Sequence, residues 1–216
     1  MNLRTWLYLS VSLSLSACSG VFESDLAAPQ SYVLRLPPAP VPEPNNEAGS
    51  VRVQRPDASP GLESERIALL RTEQRFDFYA ASRWAAPAPD VLESVIVDTL
   101  RGTGSFRAVF DDTAPFSPRY GLRCTLRRFE ADYTKGGGAP TVFVTLDCTI
   151  GRNRDRALLA SFTAAGSAAA REDRLSAVVA AFETATQAAM GELGSAVTAA
   201  LANEKPLDEK RPSEGR

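Results

Sequence analysis

Histidine does not occur anywhere in the 216 residues. That absence removes Ser-His-Asp and Cys-His nucleophile systems, together with the zinc sites that need imidazole. Cysteine occurs three times, as Cys18, Cys124 and Cys148, and never with Cys-x-x-Cys spacing. An excess of charge is missing too, since 24 Lys and Arg stand against 26 Asp and Glu. Arg123, Arg127, Arg128, Arg152, Arg154 and Arg156 are interleaved with acids and lack a set of stacking partners, so nucleic acid is not an expected partner. No second apolar run beyond the amino-terminal one is long enough to cross a bilayer. No carboxylate pair stands out at a recognisable spacing, which leaves even a His-free glycoside hydrolase without visible machinery. Catalytic residues, a metal site and a cofactor are therefore not expected.

What is present begins at residues 12–18, SLSLSAC. Arg4 and the amino terminus give a short positive start, and Trp6 to Leu15 form an apolar run of secretory length, too short to span a membrane. Leu15-Ser16-Ala17-Cys18 resembles a bacterial lipobox. On that reading residues 1–17 are a signal peptide and Cys18 opens the mature chain, its thiol carrying a diacylglycerol and its amine acylated. Several acyl chains, at roughly 0.8 kcal/mol per buried methylene, make such an anchor effectively permanent. Ser19 follows where Asp would favour retention, and by resemblance to enterobacterial sorting rules this favours the outer membrane. The alternatives are an ordinary secretory signal or a buried amino-terminal helix. The mature chain keeps 216 − 17 = 199 residues and a charge near 23 − 26 = −3, enough for one domain with a sizeable core.

Residues 18–30 read as a tether and SYVLRL (31–36) as a strand. PPAPVPEPNNEAGS (37–50) cannot join a sheet interior and reads as an extended surface loop or a docked arm, at roughly 3.1 Å per residue where it is polyproline-like. VRVQRP (51–56) alternates like a half-buried strand, and two β-rich runs follow between residues 65 and 84. Asp90 and Glu93 resemble a capping box, with Leu92, Val95, Ile96, Thr99 and Leu100 on one helical face and Gly102 and Gly104 ending the helix. SFRAVF (105–110) is a short strand.

A hairpin follows, YGLRCTLRRFEADY (120–133) returning through Gly136-Gly137-Gly138 as TVFVTLDCTI (141–150). Centred on Gly136, it pairs residues whose numbers sum to 272, which sets Cys124 opposite Cys148. A disulfide across a non-hydrogen-bonded pair is the expectation, although a slip of one residue would turn the two apart. RALLASFTAAGS (156–167) reads as a further strand. From Asp173, Leu175, Val178, Val179, Phe182, Ala189, Met190, Leu193 and Val197 recur at helical spacing, so a long helix lays one face on the sheet or on a neighbouring copy. Residues 203–216 read as a disordered tail. The expected fold class is α+β, a mainly antiparallel sheet with two helices packed on one face.

Residues 76–110, FDFYAASRWAAPAPDVLESVIVDTLRGTGSFRAVF, carry a resemblance. An aromatic and a Tyr, then Arg83-Trp84, then an amphipathic helix leading to Leu100, Gly104 and Phe106, is similar to the ABC-type transport auxiliary lipoprotein family. The likeness runs from Tyr32-Val33-Leu34 through the final helix and covers residues 31–202 as one domain. It implies a lipoprotein on the periplasmic face of a Gram-negative outer membrane. It also implies an MCE-domain protein and an inner-membrane ABC transporter as partners in lipid transport between membranes, a homo-oligomer, and no catalytic residues. The expected role is non-enzymatic tethering and docking, with the covalent lipid on Cys18 as the only prosthetic group. The alternative is a monomeric periplasmic carrier with an apolar cavity between sheet and helices. Arg83 and Trp84 are candidate partner contacts, since Arg and Trp are frequent anchors. The competing reading packs Trp84 under the first helix and pairs Arg83 with an acid such as Asp77.

Overall fold

The computed structural model describes residues 28–37, 49–136 and 138–204. Along the chain lie β1 (Gln30–Tyr32), β2 (Ser50–Val53), β3 (Asp57–Ala58), β4 (Arg66–Leu70), β5 (Phe76–Trp84), α1 (Ala88–Gly102), β6 (Ala108–Phe110), β7 (Tyr120–Asp132), β8 (Thr141–Arg152), β9 (Ala157–Ala169) and α2 (Leu175–Ala202). A short 3-10 turn, Thr72–Gln74, joins β4 to β5.

β7 is the spine. β8 pairs antiparallel with one edge of it, and β9 pairs antiparallel with β8. Its other edge takes three separate strands in succession, all parallel: Val51 opposite Tyr120, Asp57 opposite Thr125 and Ala68 opposite Glu130. Pro56 and Pro60 lie between those strands, and a proline without an N–H interrupts a ladder. β5 folds back on β4, β1 lies parallel to β5, and β6 parallel to β2.

The expected mainly antiparallel sheet is therefore corrected to a mixed one. Five of the eight pairings are parallel: β1 with β5, β2 with β6, and β2, β3 and β4 with β7. The reason is the crossover. Between β4 and β7 the chain makes a hairpin, a helix and a short strand, enough length to bring β7 back in the same direction. Alternating apolar and polar residues report a one-sided strand but not its direction.

Local expectations meet mixed outcomes. The strand read at 31–36 pairs only as far as Tyr32. The capping box is absent: α1 starts at Ala88 behind Pro87, with no side-chain cap. Asp90 instead pairs with Arg55, and Glu93 accepts the Asp112 N–H at 2.8 Å. The hairpin keeps the 272 register from Tyr120–Arg152 to Leu126–Leu146, then shifts by one at a bulge, so that Arg128 faces Thr145. The first residues of the expected tail are ordered, since Asn203 caps α2 and the Glu204 side chain is 8% exposed.

Both helices lie on one face of the sheet and touch each other. Leu92, Ile96 and Leu100 of α1 are fully buried, as are Val178, Phe182, Ala189, Leu193 and Val197 of α2. Beneath α2, Trp84, Phe129 and Phe182 form an aromatic cluster with ring centroids 4.8–5.5 Å apart. Such pairs add roughly 0.5–1.5 kcal/mol each beyond their buried area. α2 comes closest at Gly166 of β9. A Cβ there would stand 2.0 Å from the Ala185 carbonyl oxygen and 2.8 Å from the Ala189 nitrogen. Only glycine permits that approach.

Candidate functional site

Among the described residues no group of three or more His, Cys, Asp or Glu could hold a metal, and no helix is long and apolar enough to cross a membrane. A groove of about 1490 Å³ lies between α1 and α2. Its walls follow from how the helices pack. Burying Leu92, Ile96 and Leu100 turns Val91, Val95 and Thr99 of α1 sideways toward α2. Burying Leu193 and Val197 likewise turns Gly191, Gly194, Ser195 and Thr198 toward α1.

The helices meet at one end. A Cβ on Gly194 would lie 3.3 Å from the Thr103 methyl, and the Ser105 and Thr198 hydroxyls are 3.2 Å apart. They diverge from there, and a Cβ on Gly191 would find nothing within 4 Å. The segment after β1 borders the wide end. Tyr32 accepts the Ala85 N–H at 2.8 Å on the α1 side, and Glu183 of α2 accepts the Arg35 N–H at 3.2 Å. Leu34 sinks into the core between those anchors, while Val33 stays 53% exposed.

Charges at the groove are mostly neutralised. Arg101 donates to Asp98 at 3.3 Å and to the Val109 carbonyl at 3.2 Å. Asp90 accepts from Arg55, which also pairs with Glu63 at 2.7 Å; the Asp90 hydrogen bond, opposed by partial burial, raises the Arg55 pKa above its ordinary value. Arg35 differs: among the described residues its guanidinium has no carboxylate partner, since Glu183 is engaged by its backbone.

At the far end of α2 stands a polar latch. Glu204 accepts from Tyr120 and, at 2.5 Å, from Arg152. Burial alone would push the Glu204 carboxyl up, but these two hydrogen bonds hold it below its ordinary value. The Tyr120 phenol, desolvated and bonded to Glu204, is pushed up to about 12.

Of the sequence candidates, Cys18 lies outside the described residues. Cys124 and Cys148 face each other across β7 and β8 and are joined in a disulfide, with Cα atoms 4.1 Å apart and both residues buried. Arg83 and Trp84 are adjacent but separated by the pleat of β5. Arg83 is half exposed and pairs with Glu65 at 3.1 Å, not with Asp77, which pairs with Arg71. Trp84 is 0% exposed, packed between Phe129 and Phe182. The candidate contact at Trp84 is thus corrected to the competing core reading, with α2 rather than the first helix above it. The groove itself went unnoticed in the sequence. Its signal is the pair Gly191 and Gly194 inside an alanine-rich helix, on the side away from the Phe182 and Leu193 stripe.

Residues 32–194 match the family described as ABC-type transport auxiliary lipoprotein component. The chain belongs to this family. Protein XCC0632 from Xanthomonas campestris is similar in structure at a TM-score of 0.70 and 26% identity, over 79% of this chain and 96% of that one. An uncharacterized protein is similar at a TM-score of 0.59 and 13% identity, over 80% and 98%. No curated protein gives a significant match. As a member of the auxiliary lipoprotein family, the chain presents the segment after β1, the crossover helix α1 and most of α2 inside the matched span. The groove walls therefore belong largely to the family domain.

Proposed function

We propose that the chain is a non-enzymatic accessory of an MCE/ABC-type lipid transport system, working by tethering and docking at the periplasmic face of the outer membrane. The family match over residues 32–194 carries this reading. Acyl chains on Cys18 hold one end in the membrane, residues 18–30 give reach, and the folded domain meets an MCE-domain protein. Arg83, half exposed on β5, remains a candidate for that contact. Assembly as a homo-oligomer belongs to the same proposal. The lack of histidine and of a metal-binding cluster among the described residues fits a part that holds and positions rather than transforms.

The test is a pull-down of the full-length, carboxy-terminally tagged chain from crosslinked cells of a Gram-negative host, using separated outer membranes. Recovery of an MCE-domain protein, lost in the Cys18→Ala variant, is the expected result. Outer membranes that yield the chain without any MCE-domain protein would overturn it.

A further inference from the structure

We propose that the Glu192 side chain guards the open edge of β9, and that without it two copies of the chain join through β9 as an antiparallel pair. The proposal goes beyond the tethering reading, because it concerns an edge of the sheet and not a transport partner. Where the sheet ends is the first observation. β1 and β6 have three residues each, and edge strands that short offer little to an incoming chain. β9 runs for 13 residues, pairs with β8 along one edge, and among the described residues has no strand on the other.

The second observation is its sequence. ALLASFTAAGSAA contains no charged residue and no proline, the usual means of blunting an edge. A bulge is another such means, but it lies at the start of the strand, between Leu158 and Ala160. From Ala160 to Ala169 the ladder to β8 is regular, so backbone groups alternate toward β8 and away from it. The Ala165 N–H points away, since it donates to Glu192. By that alternation Ser161, Thr163, Ser167 and Ala169 point the same way, and all five residues are exposed.

A single side chain stands across this edge. Glu192 reaches over from α2 and accepts the Ala165 N–H at 2.8 Å, in the middle of those five residues. An incoming strand has to break that charge-assisted bond and bring a carbonyl oxygen to the place the carboxylate holds. The strand kept out is a second β9. Pairing residues 160–169 with their own copy opposes only Ala, Ser, Phe, Thr and Gly, so no like charges meet. Two-fold symmetry makes such an edge its own match, whereas a strand of another chain needs a register made for it. Any oligomer of the native chain is then built on other surfaces.

The test uses the full-length acylated chain in detergent micelles and compares it with Glu192→Ala, an exposed helix position at which alanine keeps the helix. Mass is followed by analytical ultracentrifugation over a range of concentrations, and the β9 amides by hydrogen exchange. In the native chain the Ser161, Thr163 and Ser167 amides should exchange fast and the Ala165 amide more slowly. Glu192→Ala should double the native mass at a concentration about tenfold below any at which the native chain does so, the scale of one charge-assisted hydrogen bond, and all four amides should become protected together. Adding Ser167→Pro removes an outward N–H without touching the ladder to β8 and should restore the native mass. Unchanged protection of β7 would show that each variant remains folded. Glu192→Ala with the native mass at every concentration, association that leaves β9 unprotected, association that survives Ser167→Pro, or Ser161, Thr163 and Ser167 amides already protected in the native chain would each overturn the proposal. None of those results bears on whether an MCE-domain protein is recovered from outer membranes, so the two readings fail separately.

Discussion

The two long faces of α2 are built from nearly the same small residues and do opposite things. The inner face, with Ala185 and Ala189 above Gly166, lets helix and strand backbones approach so closely that no side chain fits between them. On the outer face, Gly191 borders open space next to α1, while Gly194 lies against the Thr103 methyl where the helices meet. Small residues bring surfaces together where a large partner such as Phe182 fills the neighbouring volume, and they leave a trough where none does. Composition alone does not distinguish the two cases; position relative to the aromatic cluster does.

The inner face should be the easier to break. Trp84→Ala empties the site beneath Phe182 and should cost about 3–5 kcal/mol, read as a fall in the midpoint of thermal or denaturant unfolding. Gly166→Val forces side-chain atoms against the Ala185 carbonyl and should cost about 3 kcal/mol, with α2 protection in hydrogen exchange falling before that of β7. Reducing the Cys124–Cys148 bond, which spans 24 residues in the sheet below, should cost about 3 kcal/mol on a chain-entropy basis. A midpoint that ignores reductant would show that the bond contributes nothing.

At the end of α2, Glu204 gives the comparison a pH dependence. Its carboxyl is held below the ordinary value of 4.5, so the stability it contributes is present above that pH and lost as pH falls through the lowered value. Glu204→Gln should therefore cost about 1–2 kcal/mol near neutral pH, with the gap to the native chain closing in acid. A gap that stays constant from neutral to acid pH would contradict the latch. The outer face should respond with the opposite sign. Gly191→Ala adds a methyl in open space and removes backbone freedom, and should stabilise by about 0.5–1 kcal/mol.

What could be read in advance divides along similar lines. The hairpin of β7 and β8 was legible as an element and Cys124 opposite Cys148 was found by counting, but the pairs next to the turn are one residue off that count and only the bulge between Leu126 and Arg128 restores it, which no local signal announces. The stripe from Val178 to Val197 was legible because helical spacing is local. Parallel pairing of β2, β3 and β4 with β7 was not, since a strand carries no mark of its direction. Trp84 was left between partner contact and core, because exposure depends on which pleat faces the helices, and SRW offers no count that decides it. The groove was invisible for a further reason: it is a gap between two helices far apart in the chain, and no single segment contains it.

The position of β7 also sets an order of events. Ala68 must wait for Glu130 and Val51 for Tyr120, separations of 62 and 69 residues. Synthesis proceeds toward the carboxy terminus, so β4 can pair with β5 and β2 with β6 early, but the edge that β2, β3 and β4 share on β7 is missing until β7 arrives. Loop closure over such distances is slow compared with zipping β7 onto β8. The hairpin can therefore form first with one bare edge exposed, and the early strands dock onto it last. That bare edge is the most vulnerable surface the chain passes through on its way to the native state, and β2, β3 and β4 close it.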